Sequence, residues 1–224
     1  MRVLVIILLI SFSIFAKYLL EKQIVATNKL TLYKNNLESI VNIRTQELKD
    51  EIEIRKKAEI ALEKAATTDP LTSLFNRRKF NEIIKHEIER EHRYKGGLFL
   101  ILCDIDKFKD INDKYGHNTG DEVLKTFSKT IKTIIRKSDV VARWGGEEFI
   151  FLISNSDIGS AQDIADKLRK LVQDTDFKVV DSVTASFGVS FFKESDDEVS
   201  LIDRADKALY QAKKNGRNRV EFIT

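Results

Sequence analysis

The spacing of hydrophobic and polar residues divides the chain into three stretches. The first 20 residues are almost uniformly apolar, the stretch to residue 66 is rich in charged helix formers, and the remainder alternates between helix and strand patterns. Asp69-Pro70 is expected to end the second stretch, because proline lacks a backbone donor and pushes the preceding residue out of the α region. We therefore predict three parts: residues 1–20, 21–66 and 67–224.

The first part has no charged residue from Val3 to Ala16, and its apolar character continues past Lys17 to Leu20. A membrane span needs about 20 apolar residues, so this segment is at the short limit unless Lys17 snorkels. A signal peptide and a buried core helix are the alternatives, but the cleavage motif is poor and there is no polar face. We interpret the segment as a membrane anchor. The lysines after it outnumber Arg2, which favours a cytoplasmic C-terminal side. We expect the anchor to lie in the inner (cytoplasmic) membrane.

The second part has no glycine or proline and is predicted to form one long helix. Apolar residues form a seam with steps near three, four and seven: Leu37, Val41, Leu48, Ile52 and Leu62. Polar residues interrupt the seam: Arg44, Arg55 and Glu59. A charged, solvated helix is one interpretation. A parallel dimeric coiled coil of marginal stability, suited to carry a signal, is the interpretation we favour.

The third part predicts an α+β domain. Apolar residues spaced three and four apart predict helices around 80–88, 123–135, 164–172 and 201–212. Apolar runs predict strands at 98–103, 140–144, 149–153, 183–191 and 220–223. The Gly145-Gly146-Glu147-Glu148 segment predicts a hairpin between the second and third strands. From residue 98 the order is β-α-β-β-α-β, which is the ferredoxin-like arrangement.

Composition narrows the function classes. The formal net charge is only +3, so no nucleic-acid partner is expected from charge. Cys103 is the single cysteine, which excludes an internal disulfide, and its apolar surroundings predict a buried strand residue.

Four acidic residues form the first candidate site. Asp104 and Asp106 lie at the C-terminal end of the first buried strand, and residues two apart on a strand point to the same face. Two such carboxylates repel each other unless a cation lies near them, and oxygen ligands suit Mg²⁺. Glu147 and Glu148 lie in the hairpin and can meet Asp104 if the hairpin lies beside that strand. Ordinary solvated acids are the alternative for each residue taken singly.

Other residues have the chemistry to hold a nucleotide. The backbone at Gly145 and Gly146 allows close approach of a ring or a phosphate, although a plain tight turn also uses glycine pairs. Cationic side chains can contact phosphates or simply offset helix dipoles: Lys109, Lys213 and Arg217. Asn112 and Asp121 can read guanine, because a carboxylate accepts from N1–H and the 2-amino group together. Asp121 could also stabilise the first turn of a helix. From its chemistry alone, His117 is a structural hydrogen-bonding residue.

Together these motifs resemble the GGDEF diguanylate cyclase family over about residue 67 to the end. The matching segments are 69–78, 104–113, 116–121, 143–149, 186–189, 205–210 and 213–218. The resemblance implies a palm-like, nucleotide-cyclase-like domain that condenses two GTP molecules into cyclic di-GMP and two pyrophosphates. Each subunit of a homodimer would hold one GTP.

The resemblance also assigns roles to residues. It implies that Mg²⁺, or Mn²⁺ in its place, is held by Asp104, the carbonyl of Ile105 and Glu147, with Glu148 as a further metal or structural acid. Glu147 would assist deprotonation of the 3′-hydroxyl. The positions matching substrate-binding residues are Phe108, Lys109, Asn112, His117, Asp121, Gly146, Lys213 and Arg217.

The segment from Arg136 to Asp139 matches the inhibitory Arg-x-x-Asp site of the family, so we expect cyclic di-GMP to bind there and inhibit the enzyme. Arginine chemistry suits this, because a guanidinium stacks on guanine and pairs with phosphate. Two departures from the family pattern are Ser73, where glycine is usual, and Cys103, where phenylalanine is common. A catalytically silent cyclic di-GMP-binding module and a cyclase of other base specificity are the alternatives. The intact Gly-Gly-Glu-Glu-Phe tip and Asp121 argue against them.

Overall fold

A computed structural model describes residues 2–136 and 138–223 of the chain, without the side chain of Arg2. The chain divides into two compact units, Met1–Ala61 and Leu62–Thr224. The first unit consists of helix α1 (Arg2–Thr67), which continues into the start of the second. Near its N-terminus α1 contains an 18-residue window of mean hydropathy 2.6, none of it buried, so this helix is long and apolar enough to cross a membrane.

Charged side chains stabilise the polar part of α1. Arg44 contacts Glu47 at 2.7 Å, and Arg55 contacts Glu51 at 2.6 Å, both between residues three or four apart. Such exposed pairs each contribute only about 0.2–0.5 kcal/mol. These local ion pairs hold the two arginine side chains, which interrupt the apolar seam, along the helix surface.

The end of α1 is fixed by residues that follow it in the second unit. The side chain of Asn76 donates a hydrogen bond from Nδ2 to the carbonyl of Ala66 at 3.0 Å and accepts one from the backbone of Lys79. Thr68 forms an isolated antiparallel bridge with Phe75. One asparagine thus satisfies the end of one helix and the start of the next.

The second unit is a six-stranded sheet with helices on both faces. After α1 the elements are β1 (Phe75–Asn76), α2 (Arg77–Tyr94), β2 (Leu98–Ile105), α3 (Phe108–Tyr115), α4 (His117–Lys132), β3 (Val140–Gly145), β4 (Glu148–Ser154), α5 (Ile158–Gln173), β5 (Ala185–Phe191), α6 (Glu198–Lys214) and β6 (Val220–Ile223). The strand order is β1-β3-β4-β2-β5-β6. Strand β2 is antiparallel to β4 and β5, whereas β1–β3 and β5–β6 are parallel pairs.

Strand β2 is buried on both faces, which explains its continuous apolar run. Phe99, Ile101 and Cys103 belong to the core covered by α4 and α5. Leu100 and Leu102 belong to the core covered by α2 and α6. Because side chains alternate along a strand, Asp104 continues the second row and faces α6.

The position of α6 depends on Gly188 in β5. A Cβ atom at Gly188 would lie 2.1 Å from the backbone nitrogen of Leu209 and 2.2 Å from the carbonyl oxygen of Ala205. Both are backbone atoms of α6, so only glycine allows this close approach of helix and sheet. The C-terminal turn of α6 is thereby carried to the end of β2.

The predicted fold class and the β-α-β-β-α-β order are confirmed, although several boundaries differ. Strand β2 extends to Ile105 rather than ending at Cys103, so it includes Asp104. The helix predicted around 123–135 begins at His117, and a separate helix α3 precedes it, with Gly116 (φ 84°) between them. The two-residue strand β1 was not predicted, because two residues carry no periodicity.

Candidate active site

Two acidic segments meet at one end of the sheet. Asp104 lies directly opposite Glu148 in the antiparallel register of β2 and β4. The backbone N–H of Ile105 donates to the carbonyl of Glu147 at 3.3 Å. Opposite residues of an antiparallel pair project to the same face, so the carboxylates of Asp104 and Glu148 share one side of the sheet. The hairpin of β3 and β4 therefore lies beside β2, which brings these acids together.

Asp104 is the buried member of this group, with 8% of its surface exposed. Its Oδ2 lies 2.8 Å from Nζ of Lys213, which comes from the last turn of α6. Burial raises the pKa of Asp104 to about 6; the Lys213 ammonium lowers it, and the charges of Glu147 and Glu148 raise it further. A carboxylate in such surroundings favours a bound cation.

The structure corrects the expectation that Asp106 pairs with Asp104 around a cation. Asp106 Oδ1 accepts a hydrogen bond from the hydroxyl of Ser186 at 2.6 Å, and its Oδ2 accepts from Thr184 at 2.7 Å and from the Asn218 backbone at 3.0 Å. These three donors satisfy the carboxylate locally. Asp106 therefore ties the start of β5 to the segment after α6 and needs no metal ion.

A cavity of about 510 Å³ opens between the hairpin and the α3–α4 pair. Its lining includes seven of the predicted substrate or catalytic residues: Phe108, Lys109, Asn112, His117, Asp121, Gly146 and Glu147. The closeness of α3 and α4 depends on Gly120, because a Cβ atom there would lie 2.0 Å from Asn112 Oδ1. Within residues 2–136 and 138–223, no hydrogen bond is formed by the side chain of Asn112 or Asp121. Both are available to a ligand.

Lys213 and Arg217, the two predicted phosphate contacts near the C-terminus, do not line this cavity. Arg217 lines a second cavity of about 510 Å³, together with Lys107, Asp110 and Lys114 on another side of α3. Lys213 lines neither cavity and contacts Asp104. The structure thus groups the base-reading candidates, but it separates them from two of the predicted phosphate contacts.

A family model described as diguanylate cyclase, GGDEF domain, matches residues 66–219. The chain belongs to the GGDEF family. Among curated relatives it is similar to the diguanylate cyclase DgcP of Pseudomonas aeruginosa, with 39% identity over 159 residues, covering 70% of this chain and 24% of DgcP. The chain therefore spans about a quarter of the length of that relative.

Solved structures of GGDEF domains match the fold as well. The coiled coil and GGDEF domain of DgcB from Caulobacter crescentus, in complex with c-di-GMP, matches with a TM-score of 0.75 and 28% identity, covering 82% of this chain and 99% of that one. The active GGEEF domain of a diguanylate cyclase from Vibrio cholerae matches with a TM-score of 0.63 and 35% identity, covering 66% of this chain and 97% of that one.

The turn at residues 145–148 carries the signature motif of this GGDEF domain, and we call it the signature turn. Arg143 connects it to the segment after α1, a role that was not predicted from the sequence. Its Nε and Nη2 donate to the carbonyl of Gly146 at 2.9 and 2.7 Å. Its Nη1 lies 3.2 Å from both carboxylate oxygens of Asp69. Burial raises the pKa of Asp69, but hydrogen bonds from Thr72 and the Arg143 guanidinium outweigh it and leave the pKa below its usual value. The pairing joins positions 74 residues apart, so no local pattern could have revealed it.

The Arg136–Asp139 pair forms a short, exposed loop before β3. The backbone N–H of Arg136 donates to the Asp139 carboxylate at 3.0 Å, and the N–H of Asp139 donates to the carbonyl of Arg136 at 3.1 Å. Arg136 is exposed, so its guanidinium is accessible to an anionic ligand. Lys137 of this motif lies outside the described residues.

Proposed function

We propose that this protein is a diguanylate cyclase that converts two GTP molecules into cyclic di-GMP and two pyrophosphates. In each of two equivalent steps, the 3′-oxygen of one GTP attacks the α-phosphorus of the other. A new 3′-O–P bond forms, the bond between the α-phosphorus and the bridging oxygen breaks, and pyrophosphate leaves with that bonding pair. The 3′-hydroxyl loses its proton, and Glu147 is the group we propose to assist this.

The observation that carries this proposal is the grouping of Asn112 and Asp121 in one cavity with Glu147. Guanine presents N1–H and its 2-amino group side by side, and a carboxylate such as Asp121 accepts from both. Adenine lacks that donor pair, so Asp121 favours GTP over ATP. An amide such as Asn112 adds both a donor and an acceptor for the remaining edge atoms. The volume of about 510 Å³ falls in the range of small-molecule sites.

The oxygen donors at the end of β2 fit Mg²⁺ or Mn²⁺. Asp104, the carbonyl of Ile105 and Glu147 would hold the ion, with Glu148 as a further acid, and all of these are hard oxygen ligands. Across the described part of the chain, no three acidic, histidine or cysteine side chains are grouped as a metal site, so the proposed ligand set includes a backbone carbonyl beside the carboxylates. A divalent ion supplies charge stabilisation to the phosphates in this chemistry.

Residues of this chain also orient the nucleotide. Phe108 and Lys109 begin α3, where free backbone N–H groups favour anions, and we propose that they contact the phosphates. Lys109 provides a cation for the same groups, and we propose that Lys213 and Arg217, which lie outside the cavity that Lys109 lines, reach the phosphates when the nucleotide binds. His117 lines the cavity that we propose to hold guanine, the base cavity, where its ring can contact the nucleotide.

We propose further that the enzyme works as a membrane-bound homodimer. Residues 1–20 would anchor it in the inner membrane, residues 21–66 would pair as a coiled coil, and residues 67–224 would act in the cytoplasm. Each active site holds one GTP and the product needs two, so pairing of subunits is required for turnover. Cyclic di-GMP bound at Arg136 and Asp139 would inhibit the enzyme.

The proposal is tested with the full chain purified in a mild detergent. GTP and Mg²⁺ are added and the nucleotides are separated by chromatography, alongside Glu147→Gln and a matched control, Glu122→Gln, which removes an exposed carboxylate of α4. Cyclic di-GMP from the wild type and from Glu122→Gln, but not from Glu147→Gln, supports the assignment. Binding of cyclic di-GMP without any turnover would instead indicate a silent binding module, and unchanged preference for GTP over ATP in Asp121→Ser would contradict the role of Asp121.

A further inference from the structure

An ion pair joins Lys213 to Asp104 at the site that we propose to hold a metal ion. Its N···O distance is 2.8 Å, and the side chains are 33% and 11% exposed. Lys213 is held there by the C-terminal turn of α6, which the contact at Gly188 keeps close to the sheet. The ammonium thus contacts a carboxylate that the proposed function gives to a divalent ion.

Charge explains why a lysine occupies this position. Asp104 is buried, and Glu147 and Glu148 add negative charge beside it. An unpaired buried carboxylate is costly, whereas a paired one is tolerated. Among the ion pairs of the described residues, Lys213 is the sole partner of Asp104. The protein therefore carries its own counter-ion at this site.

Lysine is suited to a temporary role of this kind. Its ammonium is a point charge on a flexible four-carbon stem, and it binds carboxylates and phosphates without a fixed fork geometry. A divalent cation bound to the Asp104 carboxylate would repel the Lys213 ammonium, because two positive charges a few ångströms apart disfavour each other. A triphosphate bound nearby would offer it an alternative anionic partner.

We propose, on the basis of the proposed function, that Lys213 is an exchangeable counter-ion: it neutralises Asp104 before substrate binds and transfers to the phosphates of the incoming nucleotide. Metal and nucleotide binding then favour each other, since the nucleotide withdraws the ammonium that competes with the metal ion. By linkage the coupling is reciprocal, so the metal ion strengthens nucleotide binding by the same factor. The device would weaken metal binding in the absence of GTP.

The test measures Mn²⁺ binding by electron paramagnetic resonance on the full chain in detergent, with and without 3′-deoxy-GTP, which cannot condense. The variants are Lys213→Met and Lys213→Gln, and Lys214→Met is the matched control because it removes the neighbouring, exposed lysine. We expect both Lys213 variants to bind Mn²⁺ about tenfold more tightly than wild type without nucleotide, which is the effect of removing one charge-assisted contact. Lys214→Met is expected to behave as wild type.

The second readout is the coupling itself, the ratio of Mn²⁺ affinities with and without 3′-deoxy-GTP. We expect this ratio to fall about tenfold in both Lys213 variants and to be unchanged in Lys214→Met. Equal nucleotide-free affinities in wild type and both Lys213 variants would overturn the exchange while leaving the cyclase assignment intact. Absence of Mn²⁺ binding in the wild type even with nucleotide would overturn the metal site and the exchange together.

Discussion

Gly120 offers a sharp test of how the base cavity is built. This residue lies in the first turns of α4, where it faces α3. An added Cβ atom would lie 2.0 Å from Asn112 Oδ1 and 3.1 Å from Phe108 Cζ, and real Cβ contacts are rarely closer than 3.0 Å. In Gly120→Ala, the side chain of Asn112 must therefore leave its position. We expect the substitution to damage guanine recognition without removing any group that contacts the nucleotide.

The expected magnitude follows from one displaced hydrogen-bonding side chain. Loss of the Asn112 contact with guanine costs about 1–3 kcal/mol, which raises KM for GTP by about 5- to 150-fold. Folding stability should change less, because alanine favours helix by about 1 kcal/mol over glycine and offsets part of the overpacking cost of about 1–3 kcal/mol. The signature is a rise in KM with kcat little changed.

The assay is steady-state cyclic di-GMP formation over a range of GTP concentrations, with urea unfolding as the stability check. Gly159→Ala is the matched control, since its Cβ would meet only Asp157 Oδ1 at an ordinary 3.6 Å. A double-mutant cycle decides the mechanism: in an Asn112→Ala background, Gly120→Ala should have little further effect on KM. An equally large effect in that background would refute the reasoning, because the glycine would then act through something other than Asn112.

Three further predictions concern stability and the signature turn. Ser73 has φ 55°, a left-handed conformation, so Ser73→Gly should raise the free energy of unfolding by about 0.5–1 kcal/mol in urea titrations, and a loss would show that the hydroxyl matters more than the backbone. Burial raises the pKa of Asp196, but hydrogen bonds led by the Arg204 guanidinium bring it below the usual value. The resulting stability is present above the unfolded pKa near 4 and is lost as pH falls through the lower, folded pKa. Asp196→Asn should therefore cost about 2–3 kcal/mol at pH 7 and progressively less as pH falls below about 4; a penalty independent of pH would contradict this. Arg143→Lys cannot contact both Asp69 and the turn, so kcat should fall about tenfold, and an unchanged kcat would show that the bridge does not hold the turn.

Helices and strands could be predicted from the sequence wherever their buried faces produce a clear pattern of apolar residues. Helices α5 and α6 were predicted because their apolar residues recur at the spacing of one covered face, and strand β2 because burial on both faces makes its apolar run continuous. Helix α3 and the first turns of α4 were not predicted, because they lie in a largely polar stretch that Gly116, with its positive φ, divides into two helices. The short strand β1 was missed because its existence depends on pairing with β3, which is a tertiary contact.

The candidate site was predictable in its residue types but not in its pairings. Asp104 and Asp106 look equivalent in the sequence. In the structure, Asp106 accepts hydrogen bonds from hydroxyls of β5 and of the segment before it, whereas Asp104 forms an ion pair with Lys213. Likewise, Lys213 and Arg217 look like a matched pair of phosphate contacts but lie in different surroundings. These distinctions come from long-range packing of α6 and β5 on the sheet, which spacing along the chain does not encode.

The measurement that tests the central claim most directly is the stoichiometry of turnover by the full chain supplied with GTP and Mg²⁺. Nucleotides are quantified by chromatography and pyrophosphate by a coupled assay, with ATP as the competing substrate. The account predicts one cyclic di-GMP and two pyrophosphates for every two GTP consumed, with ATP left intact. A dimeric preparation that binds GTP but forms no cyclic di-GMP would contradict it.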